Sequence, residues 1–423
     1  MVPPGSEQGA AGSNYIRLYN GAMPAHALAE ITEDHAAAPL PDYQGGGIVN
    51  LMASIAGAFG GDPGLYPLLD ALDGARLSAH RNIVLFVIDG LGYEWLKRAG
   101  PGSTLFRHTV GPITSVFPST TASAITTFLT GVAPRQHGMT GWHVYIEALG
   151  TVVAVLPFRA RTGAPRASTP RWHAPAIFDQ TPLPNRIPAR STVFVPKRIA
   201  GSAYNEAHRG AGVVRPYRSL PGAVAGLCEA LCRGGGRHYA YLYYPDLDKS
   251  AHECGIDSPQ ARRRLAEVDA AYRSLLDGLR GTGTAVIATG DHGFIDIRPE
   301  HRIELGEHPA LAELMRLPLC GDGRVAYCYV RPGRRRAFER YVGAHLDRQA
   351  QLCVSADLID QGYFGIGPPH PRLAERVGDY TLLMKDRYVI KDWLPGEGRF
   401  VHVGVHGGLT REELYVPLAV ASV

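Results

Sequence analysis

Lysine is scarce in this chain. Lys97, Lys197, Lys249, Lys385 and Lys391 are the only five among 43 basic residues. The positive charge is therefore almost all arginine, which suits phosphate binding but is explained first by genomic composition bias. The formal net charge of +4 is too small to point to nucleic acid or a membrane surface. Long apolar runs are missing too: none approaches the roughly 20 residues that cross a bilayer. Met1–Glu7 offers no basic stretch followed by an apolar one, so no secretory leader is expected. Cys228, Cys232, Cys254, Cys320, Cys328 and Cys353 show no C-x-x-C pairing. They read as free thiols in a reducing cytoplasm. Cys228 and Cys232, four apart, are expected on the packed side of a helix.

What is present describes an ordinary globular chain, 45% apolar and 19% charged over 423 residues. Residues 1–14 read as a disordered segment. Residues 15–423 read as a single α/β domain, with an inserted α+β region at 299–375. The runs 82–88, 238–244 and 284–289 are continuously apolar and short, the mark of strands buried on both faces of a parallel sheet. Helices are expected at 48–59, 221–233 and 258–279, the last with Pro259 near its start. Further strands are expected at 151–156, 191–195, 324–330, 380–384, 387–390 (the last two alternatively a hairpin) and 415–420. Strands alternating with helices argue for a mostly parallel sheet.

Each of the three apolar strands runs into metal-ligand residue types: Asp89; Asp248 with His252; Asp291 with His292. His406 follows in a Gly-rich loop. One strand ending in Asp is common, but several in one sheet are not expected from packing alone. Open α/β sheets place ligands at these carboxyl ends. Asp and His together suit zinc, or manganese as the harder alternative. Between these strands lies Phe117-Pro118-Ser119-Thr120-Thr121-Ala122-Ser123, a turn opening a small-residue helix that Gly131 ends. Alone, its hydroxyls read as an N-cap. Beside a set of metal ligands, one of them reads as a nucleophile facing an anion. Two cations about 4 Å apart can hold the attacking and leaving oxygens of a phosphoryl displacement.

Asp89-Gly90, Pro118-Ser119-Thr120-Thr121 with Thr130-Gly131 and His137-Gly138, Asp248-x-x-x-His252, Asp291-His292-Gly293 and His406-Gly407 occur in the order of the alkaline phosphatase superfamily. The chain most resembles its nucleotide pyrophosphatase/phosphodiesterase branch, the type I phosphodiesterases, over residues 80–420. The resemblance implies a three-layer alkaline-phosphatase-like fold. It implies Thr121 as nucleophile, with Thr120 as the rival one residue away. It implies one divalent metal on Asp89, Thr121, Asp291 and His292 and a second on Asp248, His252 and His406. The Ala122 N–H would donate to a phosphoryl oxygen. The reaction implied is hydrolysis of a small-molecule phosphodiester or pyrophosphate through a covalent phosphothreonine.

Two positions depart from the branch. Ala122 stands where an aromatic often stacks a base. Thr140-Gly141-Trp142-His143 lacks the Asn that holds a phosphoryl oxygen, with Trp142, His143 and Tyr145 as alternatives to it. A sulfatase is disfavoured, because the turn lacks Cys/Ser-x-Pro-x-Arg; a cofactor-independent phosphoglycerate mutase uses a Ser in a different turn. A phosphomonoesterase, a phosphonate hydrolase and a non-catalytic phospho-ligand binder remain as alternatives, the last opposed by all seven ligand positions being filled. No Lys lies between Lys97 and Lys197, so the loops after Thr121 lack an ammonium clamp; the arginines within 159–171 are the substitutes. That favours diesters over monoesters. Other residues have plainer readings. Asp246 reads as a capping group, His402 as a strand residue, His137 as structural, Arg334-Arg335-Arg336 as a solvated helix face, and Tyr239, Tyr241, Tyr243 and Tyr244 as core.

Overall fold

A computed structural model describes residues 39–161 and 173–423. The segment 1–14 and the arginines Arg166 and Arg171 lie outside the described residues. The central sheet has seven strands: β1 (Asn82–Ile88), β2 (Thr109–Thr114), β3 (Arg190–Pro196), β4 (Val213–Tyr217), β5 (His238–Tyr244), β6 (Thr284–Gly290) and β7 (Tyr415–Ser422). Their order is β2-β7-β6-β1-β5-β3-β4. β1 runs parallel to β5 and β6, and β3 parallel to β4 and β5. β7 runs antiparallel to both neighbours, β2 and β6, so it alone is reversed.

The apolar runs behave as their composition demands. Every residue of β1, β5 and β6 is buried. Along β1, Ile83, Leu85 and Val87 enter one core, and Val84, Phe86 and Ile88 enter another on the opposite face. Helices α1 (Ile48–Ala58) and α2 (Thr121–Thr130) cover the first face. Helices α3 (Leu220–Arg233), α4 (Asp246–Cys254) and α5 (Pro259–Gly278) cover the second. This is the helix–sheet–helix layering expected from the sequence. Ser258 caps α5 by accepting the Ala261 N–H at 3.1 Å, with Pro259 next to it.

A second, antiparallel sheet also has seven strands. Strands 143–146, 151–154 and 159–160 pair with one another and, through Gly321 and His143, with strands 320–321, 325–328, 350–354 and 380–384. Its two faces carry separate cores, Ala326 and Cys328 on one and Val325 and Tyr327 on the other. Region 299–375 supplies three of these strands and helix Arg335–His345. Strands 380–384 and 389–391 do not form a hairpin: the latter pairs in parallel with Arg302–Glu304. All six cysteines are free. Cys232 is exposed, against expectation, because four residues overshoot a helical turn by about 40° and rotate it away from the core that Leu227 and Leu231 enter.

Candidate active site

Register sets the site. Ile88 lies opposite both Tyr244 and Gly290, so β1, β5 and β6 finish level at their carboxyl ends. Asp89 follows β1 directly, Asp291-His292 follow β6, and α4, starting at Asp246, carries Asp248 and His252 one turn apart. The glycines of these motifs allow the close approach. A Cβ on Gly293 would sit 1.9 Å from the Glu412 carbonyl oxygen; Gly90 has φ +78° and lies against Phe294 and the Asp248 backbone.

The structure brings all seven predicted ligand positions together. Thr121 Oγ1 lies 3.0 Å from His292 Nε2 and 3.4 Å from Asp89. His292 Nε2 lies 3.4 Å from Asp89 and 3.5 Å from Asp291. Asp248 Oδ1 lies 3.4 Å from His252 Nε2 and 3.8 Å from His406 Nε2, and those two nitrogens are 3.1 Å apart. The His292 and His406 rings stack with centroids at 3.6 Å. Asp248, His252 and His406 form one potential metal-holding group, and Asp89, Asp248 and His292 another, each with ligand atoms within 4.8 Å of one another.

The donor chemistry fits cations. The Nδ1 atoms of His252, His292 and His406 face the carbonyls of Gly404, Gly293 and Ser119 at 2.9, 3.1 and 3.3 Å. Each Nδ1 donates its proton there, which leaves Nε2 as the free ligand atom. Asp248 Oδ1 and Asp291 Oδ2 are buried without any hydrogen-bond partner, a costly state for a carboxylate that carries no counter-ion. Burial, and then repulsion from Asp89, raise the Asp248 and Asp291 carboxyls well above the usual carboxylate range. For His292, burial acts to lower the value, but Asp291, Asp89 and Asp248 outweigh it and push it up to about 10. Three carboxylates draw a proton onto one imidazole where a divalent cation would serve. Burial depresses His252 and His406 well below the ordinary histidine value, so both stay neutral.

The two threonines differ. Thr120 is the N-cap of α2, although its side chain makes no capping bond. Its hydroxyl bonds instead to the Asp322 carboxylate, which also accepts the Trp142 N–H at 3.1 Å. Thr121 is the first helical residue and faces Asp89 and His292. Ala122 follows, fully buried, and its N–H is among the first-turn donors that find no acceptor within the helix.

Thr121, Asp248, His252 and His406 line a cavity of about 1140 Å³, closed on the far side by the second sheet and residues 389–402. Trp142 and His143 reach it; Tyr145 instead packs on Tyr329 at 5.4 Å. His402 lies outside any strand and its ring sits 4.3 Å from that of His252. Asp246, in the first turn of α4, lies 3.6 Å from Arg198. Buried His137 receives the Met139 N–H at 3.0 Å. Arg334, Arg335 and Arg336 are exposed.

Several contributors are not legible in sequence. Tyr243 is buried, yet its hydroxyl donates to Asp89 Oδ2. Alternation along β5 could have shown that Tyr243 and Asp89 sit on adjacent strand ends, but only once the pairing was known. Arg324 and Glu413 form a buried, two-pronged ion pair at 3.0 Å, and Glu413 also accepts the Gly408 N–H beside the His406 loop. Lys391 brings into the cavity an ammonium that the loops after Thr121 lack.

Three solved structures share the fold. Murine ectonucleotide pyrophosphatase/phosphodiesterase 5 matches with a TM-score of 0.62 and 17% identity over 79% of this chain and 87% of that one, both on its own and as an inactive variant in complex with AMP. The human protein matches with a TM-score of 0.60 and 16% identity over 80% and 87%. No curated protein sequence matches significantly. The model of the type I phosphodiesterase/nucleotide pyrophosphatase family matches residues 83–407, from β1 to the glycine after His406. A match that takes in Asp89, Asp248, His252, Asp291, His292 and His406 and the helix start at Thr121 leads to one conclusion: this chain is a phosphoric ester hydrolase and belongs to the type I phosphodiesterase/nucleotide pyrophosphatase family.

Proposed function

We propose that the chain hydrolyses phosphodiester or pyrophosphate bonds of a small molecule through a covalent phosphothreonine at Thr121, with two divalent cations. The observation that carries this reading is the buried meeting of Thr121 with Asp89 and His292, beside Asp248 and Asp291 oxygens that lack any hydrogen-bond partner. Asp89, Thr121, Asp291 and His292 would hold one cation, and Asp248, His252 and His406 the other. Mixed carboxylate and imidazole donors suit zinc, with manganese as the alternative. When bound, the cations supply positive charge that acidifies a hydroxyl and steadies a departing oxygen.

The protein's own groups do the rest. The start of α2 fixes Thr121 Oγ1 at the cavity wall, where it forms the new bond to phosphorus as the leaving oxygen departs with its electron pair. The Ala122 N–H and the helix dipole favour the anionic phosphoryl group. Water then displaces the Thr121 oxygen and releases a phosphomonoester. The AMP bound to the murine relative makes a nucleotide one candidate substrate. The unpaired cysteines support a reducing, cytoplasmic setting. The test is elemental analysis together with hydrolysis of bis(p-nitrophenyl) phosphate and p-nitrophenyl phosphate. Two divalent cations per chain and chelator-sensitive diester hydrolysis are expected. A metal-free preparation that still turns over would overturn the metal role, and a kcat/KM far higher for the monoester would make the chain a phosphomonoesterase.

A further inference from the structure

Trp142 and Phe400 are the only Trp, Phe or Tyr side chains exposed among the described residues, at 38% and 74%. Both line the cavity that holds Thr121. A single exposed apolar residue is ordinary. Two exposed rings, brought to one cavity from segments far apart in the chain, are not explained by packing. A ring facing water forgoes the burial that the fold gives, at least in part, to every other described Trp, Phe and Tyr.

The chain holds both rings in place. The Trp142 N–H donates to Asp322 Oδ2 at 3.1 Å, and the Trp142 carbonyl accepts the Val155 N–H at 2.9 Å. Its main chain is thus fixed while its indole stays uncovered. Phe400 lies between two anchors. Before it, Glu397 accepts from Arg161 Nε at 2.9 Å. After it, Arg302 donates to the His402 carbonyl at 2.7 Å and the Val403 N–H to the His252 carbonyl at 2.8 Å. Both rings also stand near the proposed chemistry. Asp322 links the Trp142 main chain to the Thr120 hydroxyl, one residue before Thr121. Two residues after Phe400, the His402 ring lies 4.3 Å from that of His252. The charges of this wall have answers already: Asp392 and Glu397 engage Arg161, and the same two carboxylates with Asp322 act on Lys391. Pro157, Ala160 and Pro395, from the segments that flank this wall, offer no side-chain hydrogen-bonding group.

We propose that Trp142 and Phe400 seat the ester arm that stays on phosphorus, and that this arm is an uncharged aryl group and not a nucleoside. This rests on the functional reading above. The faces and edges of indole and phenyl rings favour another flat ring, offset or edge-on. A nucleoside would bring ribose hydroxyls and a base edge, polar groups that lose their water on entry and need partners in return. Pro157, Ala160 and Pro395 supply none. An aryl arm asks for none, and it covers the two rings that the fold leaves exposed.

Three p-nitrophenyl diesters test this: the methyl, phenyl and thymidine-5′ esters of p-nitrophenyl phosphate. All release p-nitrophenolate and differ in the arm that stays. In the wild type, kcat/KM for the phenyl ester should exceed that for the methyl ester by about tenfold to a hundredfold, the range for filling an apolar pocket, and should also exceed that for the thymidine ester. Phe400→Ala and Trp142→Ala should each bring the phenyl-to-methyl ratio down by about tenfold, while Phe400→Tyr keeps it. The Phe400 ring is mostly exposed, so its removal leaves the fold intact, and thermal unfolding checks this. The bond to Asp322 comes from the Trp142 main chain and survives substitution. Variants that slow all three esters equally would make the rings mere wall and overturn the proposal. A wild-type preference for the thymidine ester, lost in the variants, would make the pair a base clamp and overturn the aryl arm. Wild-type protein that hydrolyses none of the three would sink the functional reading itself, a result read before any variant is compared.

Discussion

Replacing Thr121 by Ala separates the proposed nucleophile from its rival by a wide margin. The substitution removes a hydroxyl 3.0 Å from His292 Nε2 and 3.4 Å from Asp89. No helix cap is lost, because Thr120 is the N-cap and makes no side-chain capping bond. Two hydrogen bonds disappear, each worth about 1 kcal/mol net, and Ala gains about 0.5 kcal/mol of helix propensity. Stability should therefore fall by about 1.5 kcal/mol and Tm by no more than a few degrees. Turnover should fall on the order of 10^6-fold, the scale of losing a covalent nucleophile. Thr121→Ser keeps the oxygen and should keep measurable activity. Thr120→Ala loses only the bond to Asp322 and should cost about tenfold. The assay is bis(p-nitrophenyl) phosphate hydrolysis, with intact mass after acid quench to detect a phosphoryl adduct on the wild type. A dead Thr120→Ala beside a working Thr121→Ala would refute the assignment, and the attacking oxygen would be that of Thr120.

Three further outcomes are expected. Tyr243→Phe frees Asp89 Oδ2 and should weaken metal affinity by about 10- to 100-fold, measured by competition with a chromogenic chelator; unchanged affinity would reduce Tyr243 to a core residue. Glu413→Gln strands buried Arg324 and should cost about 3–5 kcal/mol, lowering Tm by roughly 3–6 °C; a smaller shift in thermal unfolding would show the pair to be dispensable. Buried His208 has its value lowered to about 4 by burial. The unfolded chain takes up that proton below about pH 6.5 while the folded chain does not, so stability falls with pH from 6.5 toward 4. Between pH 7 and pH 5 His208 should account for about 2 kcal/mol of that loss, and His208→Gln should flatten urea-unfolding curves by that amount in the presence of chelator.

The central sheet was legible because its strands are buried on both faces, which leaves continuous apolar runs at 82–88, 238–244 and 284–290. The ligand residue types stood out because they follow those runs directly, and a shared register then makes neighbours of residues distant in the chain. The second sheet was not legible as one object. Its strands are short, in places two residues long, and come from two separated stretches, so no period accumulates. Lys391 was hidden for the same reason: it ends a three-residue strand far from the loops after Thr121. Tyr243 reads as core because its ring is core; only its hydroxyl serves Asp89. His402 has strand-like neighbours in sequence, but the backbone there turns to bring its ring to His252.

β7 lies between β2 and β6 in the central sheet. On the ribosome, β2, the strand that leads into Thr121, is made early, while the one strand it pairs with among the described residues is not yet made. The chain must close a very long loop before that pairing can begin, which makes the step slow. Until then β2 has only the bridge from Thr114 to Gly47, β6 presents an open edge, and His406, made just before β7, is also missing. A growing chain therefore lacks His406, one of the residues proposed to hold a cation. For most of its synthesis it exposes unpaired strands, which makes it a natural client for chaperones.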